Sequence, residues 1–138
     1  MARIDWTDDF KMGLPAIDAD HRQLLDIANE FFDAAEGSAP AGQLADIMER
    51  LIARTREHFK AEEQLLDRHH YPHLVTHRAE HERLITHAQT LHGKLAVAGA
   101  AEDGQRFAIE TADYLKHWLI DHIRHDDKPY RRFVMRLT

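Results

Sequence analysis

The sequence predicts an all-α protein, an antiparallel up-down four-helix bundle with an irregular N-terminal arm. Three observations predict it. Apolar residues recur every three or four positions through four long segments, Gly and Pro divide those segments into short loops, and no stretch alternates like a half-buried strand. At 138 residues, 43% of them hydrophobic, the chain has the size and apolar content of one domain, expected to span residues 1–138 around one continuous core.

Met1 to Ile17 carries Trp6, Gly13 and Pro15 and reads as the irregular arm. The first helix is expected after Asp18, a good N-cap residue, and to run to about Glu36, where Gly37-Ser38 stops it. Its apolar stripe is Leu24, Leu25, Ala28, Phe31, Phe32 and Ala35, and His21 extends that stripe toward the N-terminus. A second helix is expected from near Pro40 to about Arg68. Leu44, Ile47, Met48, Leu51 and Ile52 define its inner face, Phe59, Leu65 and Leu66 continue it, and His58 and Glu62 interrupt the face without leaving it. The third, roughly Leu74 to Ala98, places His77 and His81 in register with Leu74, Leu84, Ala88, Leu91 and Leu95. After Gly99 to Gly104 the fourth runs from about Gln105 to His125, with Phe107, Thr111, Tyr114, Leu115, Trp118 and His122 inward.

Composition excludes several functions. A net charge of -6 argues against a nucleic-acid or anionic-membrane surface, which would favour a basic stripe. The absence of cysteine removes disulfides, iron-sulfur clusters and thiolate zinc sites, so any metal must be held by nitrogen and oxygen. Met1 to Phe10 lacks the apolar core of a signal peptide, and no stretch approaches the roughly 20 apolar residues of a membrane span. The expectation is a cytoplasmic protein.

The chemistry lies in the polar residues on the apolar stripes. Buried imidazoles and carboxylates are costly unless satisfied, and a transition metal satisfies both together. Residues four apart on a helix are separated by about 40° around its axis, so His58 with Glu62 and His77 with His81 each present two ligands from one face. One such pair is weak evidence. Pairs recurring on separate stripes, joined by His21 and His122, point to a metal site inside the bundle. The fourth helix leaves a choice between two acids. Regular spacing from His122 favours Asp126, whereas a wider π-type turn near the helix end would bring Asp127 inward. The histidines at 69, 70, 73, 87, 92, 117 and 125 read as solvent-facing or hydrogen-bonded, although His69, His70 and His73 are a conceivable second metal site.

The segments Ile4-Asp5-Trp6, Gly13, Ile17-Asp18-Ala19-Asp20-His21, His58-Phe59-x-x-Glu62-Glu63, Tyr71-Pro72, His77-x-x-x-His81 and Trp118-Leu119-x-x-His122-Ile123-x-x-x-Asp127-Lys128-x-Tyr130 closely resemble the bacterial hemerythrins, in order and over essentially the whole chain. That resemblance implies two iron ions in an oxo- or hydroxo-bridged centre. His77, His81 and His122 would bind one iron, His21 and His58 the other, and Glu62 and Asp127 would bridge them. It thereby assigns Asp127 over Asp126. It further implies reversible O2 binding, by a carrier, store or delivery protein and not an enzyme, with O2 held end-on at the five-coordinate iron as a hydroperoxide. Phe59, Trp118, Leu119 and Ile123, each next to a ligand or one turn away, are the candidates to line the O2 pocket, and Leu119 matches the family's pocket leucine.

Two other readings belong to different classes. The same centre in a redox enzyme would turn over peroxide or nitric oxide, or oxidise ferrous iron. In a sensor, it would signal through an oxygen-accepting or signalling protein partner, because Arg131 to Thr138 are too few to form an output domain. Asp20, Glu63, Glu80 and Asp121 are the acids placed to orient the ligating imidazoles, but spacing does not pair them.

Overall fold

The computed structural model describes residues 3–98, 101–123 and 132–133 and has the predicted architecture. Four helices, α1 (Pro15–Glu36), α2 (Ala41–Arg68), α3 (Leu74–Ala96) and α4 (Ala101–Asp121), follow a short 3-10 turn at Asp8–Phe10, and no strand occurs among the described residues. α1 and α3 each pack against both α2 and α4, and α2 also touches α4 across the bundle. No helix among the described residues is long and apolar enough to cross a membrane.

The arm is irregular but strapped down. The Ile4 amide donates to Asn29 Oδ1 and Asn29 Nδ2 donates to the Ile4 carbonyl, both at 2.8 Å, so one buried amide side chain satisfies an arm residue that has no sheet partner. Gly13, at φ 81°, allows the turn into α1.

Helix boundaries depart from expectation in three places, the start of α1, the end of α3 and the start of α4. α1 begins at Pro15, ahead of Asp18, because proline's fixed φ suits the first helical turn. Asp18 therefore lies inside the helix, where its Oδ1 accepts the Met12 amide at 2.7 Å and ties the arm to the first turn. At the end of α1 the left-handed residue is Ser38 (φ 59°), not Gly37 (φ -77°). The Ser38 amide returns to Ala35 and the Ala39 amide to Ala34, a Schellman closure. His70 (φ 56°) closes α2 in the same way, with the His70 amide on Asp67 and the Tyr71 amide on Leu66. α3 stops at Ala96, short of Ala98. α4 starts at Ala101, earlier than Gln105, and Gly104 does not break it. A Cβ on Gly104 would come within 3.2 Å of the Ala41 Cβ, so this glycine lets α4 approach the start of α2.

The interior has two apolar clusters. The larger runs from Phe31, Leu44, Met48 and Leu95 to Phe59, Trp118, Leu119 and Ile123. The smaller, Met12, Ile17, Leu66 and Tyr71, closes the end where the start of α1 meets the α2–α3 turn. Along α1, His21 falls between Ile17 of the small cluster and Leu24 of the large one; along α2, Glu62 falls between Phe59 and Leu66. The polar stripe residues thus occupy a layer sealed at both ends by hydrocarbon.

Candidate metal centre

Six of the residues singled out in sequence converge in that layer. His21, His58, Glu62, His77, His81 and His122 are all buried, from four different helical segments. Their donor atoms form two groups, Glu62 with His77, His81 and His122, and Glu62 with His21 and His58, each group's donors lying within 4.8 Å of one another. Glu62 belongs to both. Its Oε1 faces His77 Nε2 at 2.5 Å and His81 Nε2 at 3.3 Å, while its Oε2 faces His58 Nε2 at 3.0 Å and His21 Nε2 at 3.9 Å. The two oxygens of one carboxylate are therefore aimed at two sets of imidazole nitrogens.

Burial alone would push the Glu62 carboxyl upward. The imidazoles of His58, His77 and His81 outweigh burial and hold it well below the ordinary glutamate value. A buried anion among nitrogen donors suits divalent cations. Two donor atoms, His81 Nε2 and Glu62 Oε2, are buried without a hydrogen bond, which is costly in a metal-free interior and resolved by coordination. The residues thus fit a nitrogen- and oxygen-bound metal pair.

Neighbouring helices orient two of the imidazoles. The His58 Nδ1–H donates to Asp20 Oδ2 at 3.1 Å, and the His81 Nδ1–H donates to Glu63 Oε2 at 2.9 Å. Each bond holds a proton on Nδ1, so that a metal binding beside Glu62 would take the Nε2 position. Arginines, which sequence reasoning missed, steady both acids. Arg54 pairs with Asp20 and also donates to Gln23 at 2.7 Å, and Arg78 donates to the other oxygen of Glu63 at 3.1 Å. Partial burial works upward on the Asp20 carboxyl, but the bonds from His58 and Arg54 prevail and hold it below the usual aspartate value. Each acid is adjacent in sequence to a candidate ligand, Asp20 to His21 and Glu63 to Glu62, yet each serves a histidine on another helix. Glu80 instead pairs with Arg83, and Asp121 is exposed.

Phe59 and Trp118 touch the imidazoles. The Phe59 ring stacks on His81 at 3.6 Å with 2° between planes and meets His122 edge-on at 5.3 Å; Trp118 lies 5.9 Å from His122. Leu119 and Ile123 are buried in the large cluster. An open cleft of about 600 Å³ between α2 and α3 reaches Phe59, Glu63 and His81 from outside.

Asp126 and Asp127 lie outside the described residues. The backbone leading to them does leave regular α geometry, because the chain widens to π-type hydrogen bonding at His122 and Ile123. His69, His70 and His73 are exposed, and among the described residues they form no third group of metal-holding donors.

Comparison with known proteins agrees with this geometry. Residues 12–133 match the family model described as the hemerythrin HHE cation binding domain. A bacteriohemerythrin of Pseudomonas aeruginosa is 30% identical over 130 residues, covering 94% of this chain and 80% of that protein. One of Methylococcus capsulatus is 30% identical over 131 residues, covering 94% and 95%. The myohemerythrin of Sipunculus nudus is 30% identical over 128 residues, covering 91% and 89%.

Proposed function

The chain belongs to the hemerythrin family, and from that premise we propose that it binds O2 reversibly at a non-haem di-iron centre, as a carrier, store or delivery protein without turnover. The observation that carries the reading is Glu62, whose two oxygens address two separate imidazole sets. His77, His81 and His122 would hold one iron, His21 and His58 the other, with Glu62 and Asp127 across both. Two irons held there would supply the electrons and the binding position that taking up and releasing O2 requires.

The protein's own residues do the rest. Five neutral imidazoles and few carboxylates make a weaker electron donor than a carboxylate-rich site, which disfavours oxidation beyond the bound state. Asp20 and Glu63 keep His58 and His81 in the ligating tautomer. Phe59, Trp118, Leu119 and Ile123 form the dry wall of the O2 pocket, excluding the water and protons that would convert reversible binding into irreversible oxidation.

The test is optical. The anaerobically reduced, iron-loaded protein should develop a ligand-to-iron charge-transfer band on exposure to O2, lose it on purging with inert gas and regain it on re-exposure. A one-way change to the oxidised spectrum would overturn the carrier reading in favour of a redox enzyme. Leu119→Ala should oxidise faster in air than the parent, and an unchanged rate would remove Leu119 from the pocket wall.

A further inference from the structure

One aromatic series leaves the metal layer for the surface. Along α4, Tyr114, Trp118 and His122 stand four residues apart and so share a face. The Trp118 ring is 5.9 Å from His122, the Tyr114 ring is 6.4 Å from Trp118, and exposed His87 of α3 lies 4.1 Å from Tyr114. Tryptophan and tyrosine are the side chains most easily oxidised by one electron in a protein without cysteine. Transfer between them falls steeply with distance, and each step here is about one ring's width.

Two details favour passage outward. The Trp118 Nε1–H is buried without a hydrogen-bond acceptor, so an oxidised indole has no neighbour to take its proton and keeps the positive hole mobile. Tyr114 is only half-buried, and its hydroxyl donates to the Leu84 carbonyl at 2.8 Å. Solvent at its outer edge can receive the proton that a tyrosine must lose on oxidation. Tyr71, a competing donor 6.5 Å from His77, is itself buried, so its phenolic proton reaches solvent less readily than that of Tyr114.

We propose that Trp118 and Tyr114 form an escape route that carries an oxidising equivalent from the metal layer to the surface beside His87, where a thiol reductant discharges it. The inference rests on the di-iron reading of the site. Hydrogen peroxide is the oxidant: its conversion to two waters consumes two electrons and two protons. One electron comes from the ferrous ion of a half-reduced pair. The other comes from Tyr114 by way of Trp118; the phenolic proton passes to solvent at the outer edge and solvent supplies both protons to the peroxide, a net uptake of one. The tyrosyl radical then takes a hydrogen atom from an external thiol, and two thiyl radicals couple to a disulfide. The route thus adds to O2 binding a protection of the pocket against its own by-product.

The experiment uses the full chain loaded with iron, with two irons per chain established by metal analysis before peroxide is added to the half-reduced form. Samples frozen at once should show a protein radical by electron paramagnetic resonance, identified as tyrosyl by its change on incorporation of deuterated tyrosine. Tyr114→Phe should keep its iron and its O2 spectrum, lose the tyrosyl signal, and accumulate oxygen adducts on Trp118 in peptide mass spectra. Trp118→Phe should lose the Tyr114 signal with Tyr114 still present. A tyrosyl signal that survives in Tyr114→Phe, or no protein radical in a chain holding both irons, overturns the route. Failure to retain two irons would instead overturn the reading of the site, and the route with it.

Discussion

The bundle interior has two halves built on the same helical stripes. Toward the α1–α2 turn the stripes carry Phe31, Leu44, Met48 and Leu95; toward the α2–α3 turn they carry His21, Glu62 and His81, equally buried. The hydrocarbon half is satisfied by contact alone. The imidazole half is satisfied only through specific partners, some on the surface, and through the cation its donors face. Position on a stripe therefore fixes burial in both halves, while stability comes from different sources in each.

The largest expected effect would test the hydrocarbon half. Phe31→Ala should cost about 3–5 kcal/mol in urea unfolding, by the same amount with and without iron. A cost that changed on metal loading would erase the division between the halves. The opposite substitution is Glu62→Leu. In the metal-free protein it should cost about 3–5 kcal/mol, because it leaves the buried imidazoles of His58, His77 and His81 without their carboxylate, and it should abolish the rise in melting temperature on adding iron. A metal-free variant as stable as the parent would mean that the imidazoles of the polar layer do not depend on Glu62.

Within the polar half, the two clamps differ in exposure. The Asp20 and Arg54 side chains are 20% and 25% exposed, whereas Arg78, which holds Glu63, is 49% exposed beside the open cleft. Asp20→Asn and Glu63→Gln should each weaken iron binding by roughly 10–100-fold in chelator competition, with Asp20 the more sensitive. The reverse order would show that solvent access to the cleft does not soften the second clamp.

The smallest effect lies at the outer edge of the large cluster. Burial, and secondarily the Glu80 carboxylate, pushes the Tyr114 phenol upward from its ordinary value. The unfolded chain then releases this proton first as pH rises past about 10, so the stability it contributes is present below that pH and lost above it. Tyr114→Phe should flatten this alkaline fall in unfolding experiments, at the cost of about 0.5–1.5 kcal/mol at neutral pH for the bond to Leu84. An equally steep fall in the variant would place the alkaline sensitivity elsewhere.

Much of this was legible in the sequence, for physical reasons that differ by residue. The three-four periodicity fixed the four helices and put His21, His58, Glu62, His77, His81 and His122 inward, since helical geometry is local and burial follows the stripe. Helix ends were less legible. Pro15 moved the start of α1 ahead of Asp18 because a cap is a competition among neighbouring residues that only the folded turn resolves. The pairing of Asp20 with His58 and of Glu63 with His81 was illegible, because adjacency along a helix says nothing of which histidine faces it from the next.

By itself the sequence determined the fold class, the chemical type of the donors and the exclusion of thiolate chemistry, all of which depend on composition and on periodicity within single helices. Only the tertiary structure decided that one carboxylate faces two imidazole sets, which arginines hold the orienting acids, and that His87 of α3 meets Tyr114 of α4. Those are distances between helices. They are set by how close the stripes pack, as where Gly104 admits Ala41, and no spacing within one helix encodes them.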